Sequence, residues 1–416
     1  MIDKQVLIIG GGVAGLSAAV ELAHFGIHVQ IVDEADFMGG HAIQYTCKAT
    51  DRCVKCGACM AEDKLSQAVA HPNIHLTAGS RIREISKNGR FRVIIDRKPR
   101  FIDPAKCTGC GHCFTKCPAE GAITAGFSSH HHPFFALDED KCLYVKDGSC
   151  TACRDVCPEN AIDLDQKSGT IESNPNAVIV ATGFTPFNPT SKPYGYGTFQ
   201  NVVTSLDLER MLRRAGRAKR PSDGIDAQRI AFIQCVGSRD ARSGHLWCSK
   251  VCCGCALRMA GLIKSRQPDV DITFFYIDVQ TFGKDFDRFY HHIQNDVRMI
   301  RSIPGDIYPG EKDRLKVIYA DSKTHQSRDK TFDLIVLSIG MTPCEGIKAQ
   351  ADRLDLTVAD TGFIKATRFD PSPSGDGVFI AGTAKGPMSI AESIADAGKT
   401  AWHAIRYLGI DQREEK

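Results

Sequence analysis

Sixteen of the eighteen cysteines in this 416-residue chain fall into four sets whose spacings suit iron–sulfur clusters. The clearest set is Cys107, Cys110, Cys113 and Cys117-Pro118, a C-x2-C-x2-C-x3-C-P run. In such a run three thiolates grip one [4Fe–4S] cube and the fourth reaches a neighbouring cube. A second run follows at Cys142, Cys150, Cys153 and Cys157-Pro158, with its first gap stretched by LYVKDGS and its closing proline intact. Zinc ribbons rarely close with C-x3-C-P twice, so the pair reads as a two-cluster ferredoxin module.

The totals fit that reading. The length exceeds one ordinary core, so two or three domains are expected. Hydrophobic residues make up 43% and charged residues 24%, a globular composition. The formal charge of +3 counts every cysteine as a neutral thiol. Four thiolate-bound cubes, each about −2, together with a dinucleotide bring the loaded chain to roughly −7. The basic residues form no patch interleaved with aromatics, so no nucleic-acid partner is expected. The apolar start VLIIGGGVAGLSAAV lacks a cationic n-region and a cleavage site. No uncharged apolar stretch reaches the roughly 18 residues of a membrane span. Ligand spacings without a secretion signal point to reduced thiols in the cytoplasm, with a membrane reached only through a partner.

The cysteines are threaded through a dinucleotide frame. The apolar run VLIIG is followed by Gly10, Gly12 and Gly15 as GxGxxG, then by an apolar-periodic helix to about residue 25. Such a turn lets backbone approach a pyrophosphate at a helix N-terminus. The next strand, HVQIVDEA, places Glu34 as the expected ribose-binding acid, and Gly39-Gly40 follows it as a second glycine pair. AVIVATG (177–183) carries Thr182 and Gly183 past the nucleotide, and Gly382 lies between a strand and a helix in GVFIAGTAKGPMSIAESIADAGKTA. This order indicates FAD; the competing reading is an ordinary Rossmann fold binding NAD at the first site.

The organisation expected is an FAD-binding domain in three pieces around two others. Residues 1–100 are its first part, 101–165 the ferredoxin-like insertion, 166–228 the return and linker, 229–340 a second Rossmann-like domain, and 341–416 the last part. Within the linker, Arg213, Arg214, Arg217, Lys219 and Arg220 form either a solvated face or a docking surface for an acidic partner.

A mid-chain strand, RIAFIQ, arrives where a nicotinamide-binding turn should follow, but the next residues are Cys235-Val236-Gly237-Ser238, then Cys248, Cys252 and Cys253. Adjacent cysteines suit a site larger than a single ion. The segment therefore reads as a [4Fe–4S] site in place of the NAD(P) loop. At QCVGSRD, CSKVCC and IAGTAKGP, as at the FAD motif and the ferredoxin insertion, the chain resembles the A subunit of heterodisulfide reductases. It is similar too to the related subunits of quinone-interacting membrane-bound oxidoreductases and class II benzoyl-CoA reductases. The resemblance implies an α/β, thioredoxin-reductase-like flavoprotein with two dinucleotide-binding domains and an inserted α+β ferredoxin module. It also implies a cluster on Cys235, Cys248, Cys252 and Cys253 close to FAD, and no independent NAD(P)H oxidation. In that family a lysine near the flavin occupies the position of Arg258, and arginine keeps a charge that lysine could lose. By the same resemblance Glu209 is a candidate flavin-proximal carboxylate, against its reading as a helix-surface residue.

The fourth set is Cys47, Cys53, Cys56 and Cys59, read as a further cluster, as free or redox-active thiols, or as a zinc site, so three or four cubes are expected. Cys255 and Cys344 are left over and read as small buried apolar residues. His130, His131 and His132 read as loop, and His291 and His292 as ordinary surface residues. The function expected is an FAD- and [4Fe–4S]-containing electron-transfer subunit of an oligomeric redox complex with iron–sulfur and catalytic partner subunits. It would relay or bifurcate electrons between a low-potential carrier and the catalytic partner. The alternatives are a self-sufficient NAD(P)H-dependent iron–sulfur flavoprotein reductase and a docking module whose flavin is structural.

Overall fold

The computed structural model describes residues 4–128, 134–280, 283, 285–366 and 377–410. His130, His131 and His132 lie outside them. The chain begins with β1 (Gln5–Ile9), α1 (Val13–His24) and β2 (His28–Val32). Four of the five residues in each strand are buried, as expected of parallel strands covered on both faces. A cysteine-bearing loop then leads into α2 (Ala58–Ala70) and β3 (Ile74–Thr77). The chain next leaves the sheet through the hairpin β4 (Ser80–Asn88) and β5 (Arg90–Arg97).

Between β5 and its later partner lies a small unit built from α3 (His112–Lys116), the hairpin β6 (Ile123–Ala125) and β7 (Phe135–Leu137), α4 (Leu143–Asp147) and α5 (Ala152–Asp155). Its ends meet at an antiparallel bridge between Ile102 and Ile162. Phe101, Ile102, Phe135, Leu137, Ile162 and Leu164 form its core together with Cys113, Cys142 and Cys153. A core this small supplies little hydrophobic stabilisation of its own. β8 (Gly169–Ser173) then closes a three-stranded antiparallel sheet on β5, and β9 (Ala177–Val180) returns to the first sheet beside β1.

A short strand, β10 (Phe184–Pro186), leads out to the second domain, which contains β11 (Val202–Thr204), α6 (Ser205–Ala215), β12 (Arg229–Val236), α7 (Cys252–Arg266), β13 (Asp271–Phe275), α8 (Phe286–Ile293) and β14 (Arg298–Ile300). An antiparallel sheet of β15 (Ile307–Pro309), β16 (Leu315–Ala320) and β17 (Ser327–Phe332) precedes β18 (Leu334–Ile339), giving a second parallel sheet in the order β11-β18-β12-β13-β14. β19 (Met341–Pro343) pairs antiparallel with β10, so the outgoing and returning chain run side by side between the two sheets. After α9 (Ile347–Arg353), β20 (Val378–Ile380) completes the first sheet as β20-β9-β1-β2-β3, and α10 (Ile390–Tyr407) packs Ala397, Ala401 and Ala404 into the same core as α1.

The structure differs from the sequence reading in the linker. β11 and α6 belong to the second sheet and its core, because Val203, Leu208 and Leu212 pack with Phe232 and Leu257. A three-residue strand flanked by turn residues has too little periodicity to be read as a strand. The basic run is largely tied inward. Arg213 donates to the carbonyls of Tyr45 and Phe127, Arg217 pairs with Asp226 at 2.6 Å, and Arg220 with Asp223 at 2.9 Å. That pairing removes most of the charge expected of an acidic-partner surface.

Within the second domain, Phe232 stacks on Phe274 with ring centres 4.7 Å apart, both essentially inaccessible. Phe232→Ala is expected to cost about 3–5 kcal/mol, read as a lower thermal transition of the iron-loaded chain.

Candidate functional site

The first site is built by the turn between β1 and α1. A side chain at Gly10 would meet the Ala181 carbonyl oxygen at 2.3 Å, and one at Gly15 the Gly10 oxygen at 1.9 Å, so β1, α1 and β9 can close on each other only with glycine at both positions. Gly12 is different: a Cβ there would have only the Gly40 Cα near it, at 4.0 Å. Backbone is thus presented to open space at the N-terminus of α1, whose cap lacks a side-chain hydrogen bond and whose first turn has no acidic residue. That is the arrangement for receiving a phosphate anion. The Gly39 N–H donates to the Gly11 carbonyl at 2.7 Å, which lays Gly39-Gly40 along the turn.

The acid facing this turn is Asp33, one residue before the predicted Glu34. Its Oδ2 accepts the Gly11 N–H at 2.5 Å and its Oδ1 the Ala35 N–H at 2.8 Å, while Glu34 is exposed. Burial raises the Asp33 pKa against the pull of those two bonds. The strand ends at Val32, and alternation beyond it sends the two carboxylates to different sides. Two further polar atoms are buried without a partner: Thr182 Oγ1, on the predicted segment, and Nδ1 of His41, which the sequence motifs do not mark. His41 Nε2 lies 3.1 Å from the Phe184 carbonyl, and burial lowers the ring's pKa, keeping it neutral. Gly382, left-handed at φ 68°, sits against Ala14 in the first turn of α1, and its N–H donates to Asp396 at 2.8 Å. Open backbone, a carboxylate and orphaned polar atoms converge here with Gly183, as a dinucleotide such as FAD requires.

The second site lies in the small insertion. One cavity is lined by Cys107, Cys110 and Cys113 together with Cys157 from the other run. Cys153 lies near Cys142 and Cys117. The fourth cysteine of each run therefore sits with the first members of the other, the crossed arrangement of a two-cluster ferredoxin. Among the described residues no three metal-binding side chains converge on a point for a single ion. A cube makes no such demand, because its four thiolates bind four different irons.

The third site is at the end of β12. Cys235 is left-handed at φ 59°, at a break in the pairing of β12 with β18. Cys252 and Cys253 open α7, and Cys248 accepts the Lys250 N–H at 3.3 Å. All four thiols lie near one another. They occupy the region beyond the C-terminal end of β12, before the helix that follows, where such folds place a pyrophosphate. The loop itself is filled: a Cβ at Gly237 would strike the Phe187 ring at 2.1 Å. Arg239 pairs with Asp278 at 2.5 Å beside Cys235.

The two residues expected near the flavin part company. Glu209 is not a surface residue; it is 3% exposed and pairs with Lys48 at 2.6 Å. Burial raises its pKa, opposed by Lys48 and by the Thr46 N–H, which donates to it at 3.2 Å. Lys48 carries no sequence signal, since its partner is far away in the chain. Arg258 donates Nε–H to the Val54 carbonyl at 2.8 Å and lies 5.1 and 5.4 Å over the Phe286 and Phe289 rings. In the fourth cysteine set, Cys47, Cys53 and Cys59 are exposed, and Cys56 is half-buried near Cys255.

Comparison with known proteins follows the same lines. Residues 8–62 match the NAD(P)-binding Rossmann-like domain family and residues 101–123 the 4Fe-4S binding domain family. Over 97% of its length the chain is 34% identical to the A subunit of the H(2):CoB-CoM heterodisulfide,ferredoxin reductase of Methanothermobacter marburgensis, covering 64% of that protein. Over 95% it is 35% identical to the iron-sulfur A subunit of the CoB–CoM heterodisulfide reductase of Methanocaldococcus jannaschii, covering 63%. The chain thus spans somewhat under two thirds of the length of these relatives. In structure it is similar to the thioredoxin reductases of T. acidophilum and Lactococcus lactis, each at TM-score 0.55. Their identities are 17% and 15%, with 97% and 98% of this chain and 99% of each of theirs covered. The thioredoxin-reductase-like α/β fold expected from sequence is the fold observed.

The electrostatics of these sites can be tested on the chain itself. Lys48→Met leaves a buried carboxylate unpaired and is expected to cost about 3–5 kcal/mol, whereas the double variant Lys48→Met/Glu209→Leu should recover most of it; thermal melts of the three chains decide. Burial pushes the thiols of Cys113, Cys153 and Cys235 up to about 11. The iron-free fold therefore holds protons that the unfolded chain releases near pH ~9. Its stability should be full below that pH and fall between about 9 and 11, a loss seen as a lower melting temperature at pH 10 than at pH 8.

Proposed function

We propose that this relative of the heterodisulfide reductase A subunits is the FAD- and [4Fe–4S]-containing electron-transfer subunit of a larger cytoplasmic redox complex. In this reading it relays electrons between a low-potential carrier and a catalytic partner subunit. The observation that carries the proposal is the cysteine group Cys235, Cys248, Cys252 and Cys253 at the head of α7, in the region that a nicotinamide dinucleotide would need. No described helix is long and apolar enough to cross a membrane.

FAD supplies the conversion between two-electron and one-electron transfer, and the cubes carry single electrons onward. The chain's own residues do the rest. Gly12, Gly39 and Gly40 offer backbone to the pyrophosphate, Asp33 takes the ribose hydroxyls in place of Glu34, and Thr182, Gly183, His41 and Gly382 line the remainder of the groove. In the insertion, the crossed cysteines would hold two cubes against one small hydrophobic core. At α7, Cys252 and Cys253 take a cube at the positive end of a 15-residue helix, which favours the charge that reduction adds. Phe187, packed against Gly237, fills the space a pyridine nucleotide would occupy.

The relatives' names speak of heterodisulfide, ferredoxin and, in some, hydrogen or formate. For this chain they suggest a low-potential carrier as donor, with the substrate disulfide or its equivalent bound on another subunit. Stopped-flow mixing of the isolated, loaded chain with NADH or NADPH should give no fast flavin bleaching; rapid bleaching would favour the self-sufficient reductase. The variant Cys252→Ala/Cys253→Ala should lose about four irons per FAD, taking four per cube, and an unchanged iron content would sink the assignment.

A further inference from the structure

The loop 53–59 copies the first ferredoxin run in conformation as well as spacing. Cys53-Val54-Lys55-Cys56-Gly57-Ala58-Cys59 and Cys107-Thr108-Gly109-Cys110-Gly111-His112-Cys113 are both C-x2-C-x2-C. In each, the residue before the middle cysteine and the glycine after it are left-handed: φ is 53° at Lys55 and 80° at Gly57, against 75° at Gly109 and 81° at Gly111. In each, that glycine caps a helix whose second residue is the third cysteine, α2 in one case and α3 in the other. Successive turns of this kind gather backbone N–H groups around a concavity that suits iron–sulfur anions. The Lys55 N–H donates to Cys53 Sγ at 3.4 Å, as the Lys250 N–H does to Cys248. A lysine in the left-handed region is strained and persists only where its surroundings demand it.

Three thiols leave one iron of a cube without a protein ligand. Cys47, from the same sequence set, lies outside the repeated conformation and is exposed. Cys255 stands in the first turn of α7, and the loop is fastened to that helix: Arg258, one turn further on, donates to the Val54 carbonyl at 2.8 Å. A second tie joins Lys55 to Asp285, the cap of α8, at 2.5 Å. The Cys255 thiol lies within electrostatic reach of the Lys48–Glu209 pair, of Arg258 and of Cys56. The Arg258 guanidinium, stacked on Phe286 and Phe289, lies beside Cys53, Cys56 and Cys255. It places a fixed positive charge where a filled cube would carry about −2.

We propose that Cys53, Cys56, Cys59 and Cys255 hold a further [4Fe–4S] cube across the junction of the two Rossmann-like units, with Arg258 as its counter-charge and Cys47 outside the ligand set. The site takes one helix in common with the Cys252-Cys253 site but no ligand, so either assignment can fail without the other. α7 then carries ligands for two cubes within a single turn.

The test uses the loaded chain, purified without oxygen, treated with iodoacetamide and mapped by mass spectrometry. Cys47, Cys53 and Cys59 are all exposed by the fold, so protection there reports ligation and not burial. Cys47 should be alkylated, and Cys53 and Cys59 should react only after a chelator strips the iron. Cys255→Ser should retain FAD and lose about four irons, while Cys47→Ser loses none; the Cys252→Ala/Cys253→Ala chain should lose a separate four. Alkylation of Cys53 and Cys59 in the loaded chain overturns the proposal, as does zinc in place of that iron. Full iron in Cys255→Ser, or a protected Cys47, gives the fourth position to Cys47 and overturns it equally. Should Cys255→Ser fail to fold, the labelling of the unaltered chain decides.

Discussion

A thiolate taken out of water needs a partner of opposite charge, and this molecule buries or half-buries most of its cysteines. Cys113, Cys142, Cys153 and Cys253 are among its least accessible residues. Without iron Cys113, Cys153, Cys235 and Cys252 stay protonated, because desolvation holds the first three near 11 and Cys252 well above its ordinary value. Iron reverses the preference by binding the thiolate directly. The small insertion shows the consequence most plainly: cysteines are part of its hydrophobic core, so side chains placed to bind metal also close the fold.

The two parallel sheets place that chemistry at matching points. In both, a central parallel strand, β1 or β12, leads into a helix whose N-terminus has no acidic residue in its first turn. In the first sheet the connection is three glycines and the exposed surface is backbone. In the second it is longer, follows a left-handed Cys235 near the end of β12, bends at the left-handed Arg239, and carries Cys248 toward Cys252 and Cys253 at the head of α7. One architecture thus presents open backbone in one half and a group of cysteines in the other. The antiparallel pairing of β10 with β19 runs the two inter-domain crossings side by side, so the halves are joined by hydrogen-bonded backbone.

Local spacing made the ferredoxin runs, the glycine turn and the cysteines of α7 legible in the sequence, because each is set by contacts between near neighbours in the chain. What could not be read depends on distant pairings. Glu209 looks like one more charged residue on an amphipathic helix, and only the arrival of Lys48, brought over by the loop after Gly40, makes it a buried ion pair. Asp33 and Glu34 are indistinguishable as acids at a strand end; a one-residue difference sends one toward the glycine turn and the other to solvent. β11 is too short to announce itself. His41 had no motif to mark it, and its role shows only as a ring nitrogen left without a partner.

Charge around the cysteines of α7 is arranged in two ways. Beside Cys235, Arg239 is matched by Asp278, so the pair adds almost no net charge and instead pins a left-handed corner whose N–H donates to the Trp247 carbonyl at 2.9 Å. Three residues beyond Cys255, Arg258 is held by one carbonyl and two aromatic faces, and among the described residues no carboxylate pairs with it. An arginine in that setting cannot shed its charge, and it is weakly hydrated enough to be stacked between rings where a lysine would be poorly accommodated. A fixed cation there favours anionic sulfur on every redox state of its neighbours. A carboxylate partner would cancel that effect, which is what Asp278 does for Arg239. The two arginines, nineteen residues apart, are therefore placed differently: one pins the loop through Asp278, and the other brings an unpaired positive charge near Cys53, Cys56 and Cys255.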